Sequence, residues 1–231
     1  MTAIPRPVEA VIFDMDGLLL DTESVYRRAM IAAASGMGYD FSDDFCRSMV
    51  GTAEAEIRHM LQQQFGADFP IAGLLRACEL EMARRLEAGV PVKAGAAELI
   101  GDLATRKLPM AVATSTVRRI AEHHLQRAGL LEHFAAVCTR EDVTRGKPHP
   151  DIFVAAAGKL GVRPERCLVL EDSYPGVRAA HASGAMTIMV PDMLPATDEL
   201  RALCVAVARD LHDVRAMLQM PTISDGVVAK R

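Results

Sequence analysis

The chain has 231 residues, of which 50% are hydrophobic and 24% charged, ordinary globular composition and enough to bury a sizeable core. Its formal net charge of −4 carries no block of like charge, which argues against nucleic acid as a partner, since a phosphate backbone calls for a basic face. Charges and glycines interrupt every apolar run well short of membrane-spanning length, which argues against a membrane. The five cysteines, Cys46, Cys78, Cys138, Cys167 and Cys204, fall at neither metal-knuckle nor redox spacing, so buried thiols in a reducing, cytoplasmic setting are expected. The start Met1-Thr2-Ala3-Ile4-Pro5 has neither a basic opening nor a long apolar stretch, so no signal peptide is expected.

In chain order, the run from Glu9 to Asp16 (EAVIFDMD) reads as a buried strand ending in two carboxylates. Asp21, Thr22 and Glu23 follow as a helix start, with Asp or Thr as the cap. From Glu23 to about Leu86 the periodicity is helical throughout, broken near 36–38, at Gly51 and over 66–70. After Pro91 the texture changes. Apolar runs of strand length at 108–113, 135–139, 167–170 and 186–190 alternate with helical segments near 95–106, 117–128, 150–160 and 176–183. A short strand near 204–208 and a helix around 211–219 close the pattern. Such alternation predicts an α/β fold with a parallel sheet covered by helices. The helical block after the first strand predicts an all-helical insert, giving a core of residues 1–19 and 90–231 and a cap of residues 20–89. The segment after Pro221 is expected to be loosely held.

Ligands of such sheets bind at the carboxyl ends of the strands. At those ends the sequence puts Asp14 and Asp16, then Thr114, Ser115 and Thr116. Lys147 follows just before a helix, and Glu171, Asp172 and Ser173 come after the strand at 167–170. Oxygen ligands from Asp14, Glu171 and Asp172 suit Mg²⁺, which takes few carboxylates and keeps waters and phosphate oxygens. Clustered carboxylates need a cation to coexist with one another and with a phosphate. Lys147 balances the cluster and suits a phosphate oxygen. Thr114 and the amides at the following helix start suit the remaining oxygens. An aspartate can act as nucleophile at phosphorus, and Asp16 is spaced to protonate a leaving alcohol and later deprotonate a water. Each fragment alone has a plainer reading, as turn, cap or polar loop. Their conjunction, in order and at strand ends, points to phosphoryl transfer.

Here the residues resemble a family. FDMDGLLLDTE from Phe13 to Glu23 resembles the first motif of the haloacid dehalogenase superfamily. ATS at Ala113–Ser115 resembles its second, GKPHPD at Gly146–Asp151 its third, and LEDSYPGV at Leu170–Val177 its fourth. The resemblance implies a Rossmann-like core, a helical cap of the first type that would close over the substrate, and Mg²⁺. It implies Asp14 as nucleophile and Asp16 as general acid/base, the backbone carbonyl of Asp16 also meeting the metal. Thr114 and Lys147 would bind phosphate, with Glu171 and Asp172 holding the metal directly or through water.

Departures narrow the choice. Asp16 is the second acid that the dehalogenase branch lacks. The phosphonate-cleaving branch uses a cap lysine, whereas the first lysine of this chain is Lys93. The β-phosphoglucomutase branch uses cationic cap residues, a histidine in the first cap helix and a lysine after motif two. This chain has Tyr26, the stretch Met49–Glu54 and Val117 at those places, so a mutase stands behind a simple phosphatase. The resemblance thus implies a phosphomonoesterase for a small phosphorylated metabolite, such as a sugar phosphate or phosphoglycolate, as a monomer or weak homodimer. Ser115, Tyr26, Arg47, Gly51, Thr52 and Glu54 are candidates for substrate contacts, although Arg47 reads more plainly as a solvated helix residue. His123 and His124, on a core helix without an acidic partner at metal spacing, read as surface residues. A non-catalytic phospho-receiver shares the acids, hydroxyl and lysine, but Asp16, the cap and the fourth motif argue against it.

Overall fold

The computed structural model describes residues 4–49 and 54–219. The chain divides into two compact units, one built from the segment up to Leu20 and again from Val92 onward, the other from Asp21–Pro91.

The first unit is a six-stranded, all-parallel sheet. Its strands are β1 (Ala10–Phe13), β2 (Met110–Ala113), β3 (Ala136–Cys138), β4 (Cys167–Glu171), β5 (Met186–Met189) and β6 (Ala206–Val207), in the order β3-β2-β1-β4-β5-β6. Every residue of β1, β2, β4 and β5 is buried, as a sheet covered on both faces requires. The associated helices are α5 (Ala96–Thr105), α6 (Arg118–Arg127), α7 (Asp151–Leu160), α8 (Tyr174–Ala182), α9 (Asp198–Leu203) and α10 (Leu211–Gln219). Alternate strand residues Ala10, Ile12, Ala111, Ala113, Cys167 and Val169 share one core with Ile152, Phe153, Ala156 and Ala157 of α7 and Ala179 and Ala180 of α8. The period of two thus turns one set of side chains toward these helices. Strand order reverses between β1 and β4, so the switch point of the sheet lies where Asp14, Glu171 and Asp172 emerge.

The strands are shorter than the apolar runs suggest, because pairing stops while burial continues: Val190 is buried but lies beyond β5. The helix α9, six residues capped by the Thr197 hydroxyl on the Leu200 amide at 3.4 Å, has too few turns to show periodicity in sequence.

The second unit contains, among the described residues, only helices: α1 (Thr22–Gly36), α2 (Asp43–Ser48), α3 (Glu54–Phe65) and α4 (Ile71–Ala88). Its core joins Ala29, Met30, Ala33 and Ala34 of α1 to Leu74 and Cys78 of α4, with Phe41, Cys46, Leu61 and Phe69 between them. Phe41 stacks on Phe65 with centroids 4.8 Å apart, and Tyr39 meets Phe69 edge-on at 4.7 Å. Ser42 caps α2, its hydroxyl accepting from the Phe45 amide at 3.1 Å. Asp21 stands at the cap position of α1, yet its carboxylate accepts from the Ser24 hydroxyl at 2.5 Å instead of from a helix amide.

All five cysteines are free thiols, four of them buried. No described helix is long and apolar enough to cross a membrane.

Candidate active site

Asp14, Thr114, Glu171 and Asp172 sit at the end of a strand or one step past it, whereas Asp16 lies three residues past β1 and Lys147 in the turn before α7. The Asp14 amide donates to the Leu170 carbonyl at 3.0 Å, and the Thr114 amide to the Cys138 carbonyl at 2.9 Å. Glu171 is the last residue of β4, its carbonyl accepting from Val190 at 2.7 Å. The sheet therefore fixes the origin of these side chains.

Lys147 lies at their centre, 6% exposed. Its ammonium donates to a carboxylate oxygen of Asp14, to Oε1 of Glu171 at 2.7 Å and to the Ala113 carbonyl at 3.1 Å. Those acceptors come from three adjacent strands and use all three N–H donors of the lysine. The Phe153 ring lies 5.0 Å from the same nitrogen. Burial pulls the lysine toward neutrality, but Asp14 and Glu171 outweigh it and hold the ammonium charged.

Asp14, Glu171 and Asp172 each offer an oxygen, and these oxygens lie within 4.8 Å of one another. Burial pushes the Asp14 carboxyl up to about 8, with Glu171 and Asp16 adding to the rise and Lys147 opposing it. Asp172 is pushed up to about 10, again chiefly by burial and then by Glu171 and Asp14. One lysine is thus too little positive charge for three carboxylates in a dry site. A hard divalent cation fits this donor set. Glu171 is fully buried and already engaged on both oxygens: Oε1 by Lys147, Oε2 by the Ser173 amide at 2.6 Å and the Ser173 hydroxyl at 2.9 Å.

Two glycines make room for this packing. Gly17 has φ +84°, and a Cβ there would meet Oδ2 of Asp172 at 2.4 Å. A Cβ on Gly176, in the first turn of α8, would fall 1.5 Å from Oε1 of Glu171.

Asp16 follows the first acid by two residues. Its Oδ2 accepts from the Thr116 hydroxyl at 2.8 Å and the Thr114 hydroxyl at 3.2 Å. The Thr114 hydroxyl also accepts from the Thr116 amide at 3.0 Å. The Arg118 amide, in the first turn of α6, donates to Glu141 at 2.7 Å. The Arg118 amide, at the helix start expected to face a phosphate, therefore already has an acceptor within the chain.

Asp14, Asp16, Thr114, Lys147, Glu171 and Asp172 thus form one cluster. Ser115 is beside it in sequence but exposed, its neighbours Thr114 and Thr116 making the contacts. In the helical unit, Tyr26 is on α1, 41% exposed, its carbonyl facing the Cys78 thiol at 4.0 Å. Arg47 is exposed on α2 and bound to Asp43 at 2.7 Å, a pair that Arg27 joins at 3.1 Å. Glu54 opens α3; Gly51 and Thr52 lie outside the described residues. Lys93 is engaged by Asp192 at 2.7 Å.

The surface reading of His124 is wrong. His124 is buried at 8% exposure, Nδ1 has no hydrogen-bond partner, and burial lowers its pKa against the pull of Asp16. Thr116, just past the second motif, and Ser173, inside the fourth, make contacts for which the sequence assigned no role. The Thr116–Asp16 pairing spans a hundred residues of sequence, so only the position of Thr116 beside the second motif signalled it.

A family model described as haloacid dehalogenase-like hydrolase matches residues 8–184. The chain is 32% identical over 177 residues to the phosphorylated carbohydrates phosphatase of Thermotoga maritima, covering 77% of this chain and 82% of that protein. Among solved structures, it resembles one from Thermotoga maritima provisionally named a beta-phosphoglucomutase, with TM-score 0.77 and 30% identity over 91% of this chain and 97% of that one. It also resembles CbbY from Rhodobacter sphaeroides, solved in complex with xylulose-(1,5)bisphosphate, with TM-score 0.69 and 27% identity over 94% and 98% of the two chains. With the four motifs meeting at one sheet edge and a family match across most of its length, this chain is an enzyme of the haloacid dehalogenase-like hydrolase family.

Proposed function

We propose that the protein is a Mg²⁺-dependent phosphomonoesterase for a small phosphorylated carbohydrate or related metabolite. The observation that carries this reading is the convergence of Asp14, Asp16, Lys147 and the Glu171–Asp172 pair at the switch point of the sheet. The substrate class is supported by the phosphorylated-carbohydrate and sugar-bisphosphate proteins that the chain resembles.

In the first half-reaction the Asp14 carboxylate attacks phosphorus, and the P–O bond to the leaving alcohol breaks as Asp16 gives that oxygen its proton. In the second, Asp16 takes a proton from water, the water oxygen attacks phosphorus, and the bond to Asp14 breaks, releasing phosphate and the free carboxylate. Thr114 would hold one phosphoryl oxygen, and Lys147 would hold another by giving up one of the three contacts that it makes here. Asp14, Asp172 and the Asp16 carbonyl would hold Mg²⁺, with Glu171 acting through its neighbours and a bound water. When bound there, Mg²⁺ would supply positive charge against that developing on the phosphoryl oxygens. The Glu171 side chain orients Lys147 against Asp14.

The test is inorganic phosphate release from a panel of phosphorylated sugars and glycolate, with Mg²⁺ or chelator, beside Asp14→Asn. Multiple turnovers that chelator and the variant both abolish support the proposal. Conversion of a sugar 1-phosphate to a 6-phosphate without release would replace it with a mutase. One retained phosphate per chain would replace it with a receiver.

A further inference from the structure

We infer that Thr116 is a positioning residue for Asp16, its hydroxyl holding the acid/base carboxyl in place by a 2.8 Å bond to Oδ2. The inference rests on the acid/base reading of Asp16 above.

Two hydroxyls reach the same oxygen of Asp16, but they are not equivalent. Thr114 has a single hydroxyl proton, which it gives to Asp16 at 3.2 Å while accepting from the Thr116 amide at 3.0 Å. If Thr114 turns that proton to a phosphoryl oxygen, as proposed, it no longer donates to Asp16. The shorter bond, from Thr116 at 2.8 Å, has no such competing duty. It is also anchored at both ends of its residue. The Thr116 amide is tied to Thr114, and its carbonyl accepts from the Arg140 amide at 3.5 Å.

The proton that Asp16 gives to the leaving alcohol must point at that oxygen, so it cannot also be shared with Thr116. The Thr116 hydroxyl donates to Oδ2, which leaves Oδ1 to carry the proton, and it can do so whether or not that proton is present. The heavy atoms therefore need not move as the proton is passed on.

The experiment compares Thr116→Val, Thr116→Ser and Asp16→Asn, alone and as the Asp16→Asn/Thr116→Val pair, on an alkyl phosphate and on p-nitrophenyl phosphate. Misplacing a catalytic group costs up to ~10²-fold, so Thr116→Val should lower kcat on the alkyl phosphate by about 10- to 100-fold. KM should stay nearly unchanged. The loss should shrink on p-nitrophenyl phosphate, whose leaving group needs no proton. Thr116→Ser, which keeps the hydroxyl, should restore most of the rate. The double variant should be no slower than Asp16→Asn alone, because residues acting through one group do not add. Should the valine prove hard to fold, Thr116→Ala removes the hydroxyl without replacing its volume and is read the same way. Equal losses on both substrates, multiplied losses in the double variant, or no rescue by serine would overturn the positioning role. So would an unimpaired Thr116→Val beside an inactive Asp16→Asn. Full activity in Asp16→Asn would instead remove the acid/base reading itself, and this inference with it.

Discussion

Lys147 Nζ lies 2.7 Å from Oε1 of Glu171, and neither side chain is more than 6% exposed to water. The same ammonium is bound to Asp14. One lysine therefore joins the proposed nucleophile to the acid at the end of β4, and it is the principal charge balance for both.

Removing that charge without replacing it should be costly. Breaking a buried ion pair by deleting one partner typically costs about 3–5 kcal/mol, because the other charge remains buried. Lys147→Met is expected to lose stability on that scale in urea unfolding and to be inactive. Added Mg²⁺ should recover part of the stability but none of the turnover. A fall of under about 1 kcal/mol, the range of solvated pairs, would show that Glu171 and Asp14 do not depend on this lysine.

Stability without a divalent ion should fall as pH rises. Asp14 and Asp172 have folded pKa values raised to about 8 and about 10, above the ordinary carboxylate range. Above the unfolded value near pH 4 the native state holds protons that the unfolded chain has lost, so the slope of stability with pH is negative. The contribution is intact below about pH 4 and is lost progressively as pH rises through the folded values. Chelator-treated protein should therefore show a falling unfolding free energy between pH 5 and 8, and Mg²⁺ should flatten the curve. Calorimetry in buffers of differing ionisation heat should detect protons released on Mg²⁺ binding. A flat profile in chelator would contradict the raised carboxylates.

Asp14→Asn should abolish phosphate release while leaving the fold and substrate binding largely intact, since the amide nearly matches the carboxylate in shape and lacks its nucleophilic charge. Acid-quenched wild-type protein should carry a labile acyl phosphate that the variant lacks. Near-normal turnover by the variant would remove Asp14 as nucleophile.

Gly176→Ala should be more damaging than a helix alanine ordinarily is. The new methyl would fall 1.5 Å from Oε1 and 1.9 Å from the carboxyl carbon of Glu171, a side chain with no exposure into which to withdraw. Overpacking costs about 1–3 kcal/mol, so a lowered melting temperature is expected despite the gain in helix propensity. Activity should fall with it, because Glu171 orients Lys147. A variant more stable than wild type would show that Glu171 relaxes freely.

Much of the candidate site was legible from residue type and order. Asp14, Asp16, Glu171 and Asp172 fall where apolar runs end and Lys147 just before a helix, and a parallel sheet gathers strand ends at one edge by construction. The helical block before Pro91 was equally plain, since helix periodicity without any strand run has few other meanings. Boundaries were less legible: the pattern from 204 to 208 promised five strand residues, and only Ala206–Val207 pair. Apolar character records burial, whereas a strand end records the last ladder hydrogen bond.

Contacts across the fold were settled only by tertiary structure. His124 carries the same polar side chain as its neighbour, and helix packing alone decides that it is buried and His123 is not. Thr116 lies one hundred residues from Asp16, and nothing local requires their hydroxyl and carboxylate to meet at 2.8 Å. The chain by itself determined which chemical groups were available and at which strand ends they stand, because local periodicity and turn chemistry act over a few residues. Which hydroxyl meets which carboxylate, and how one lysine comes to satisfy acceptors from three strands, was decided by sheet order and register, which bring distant segments together.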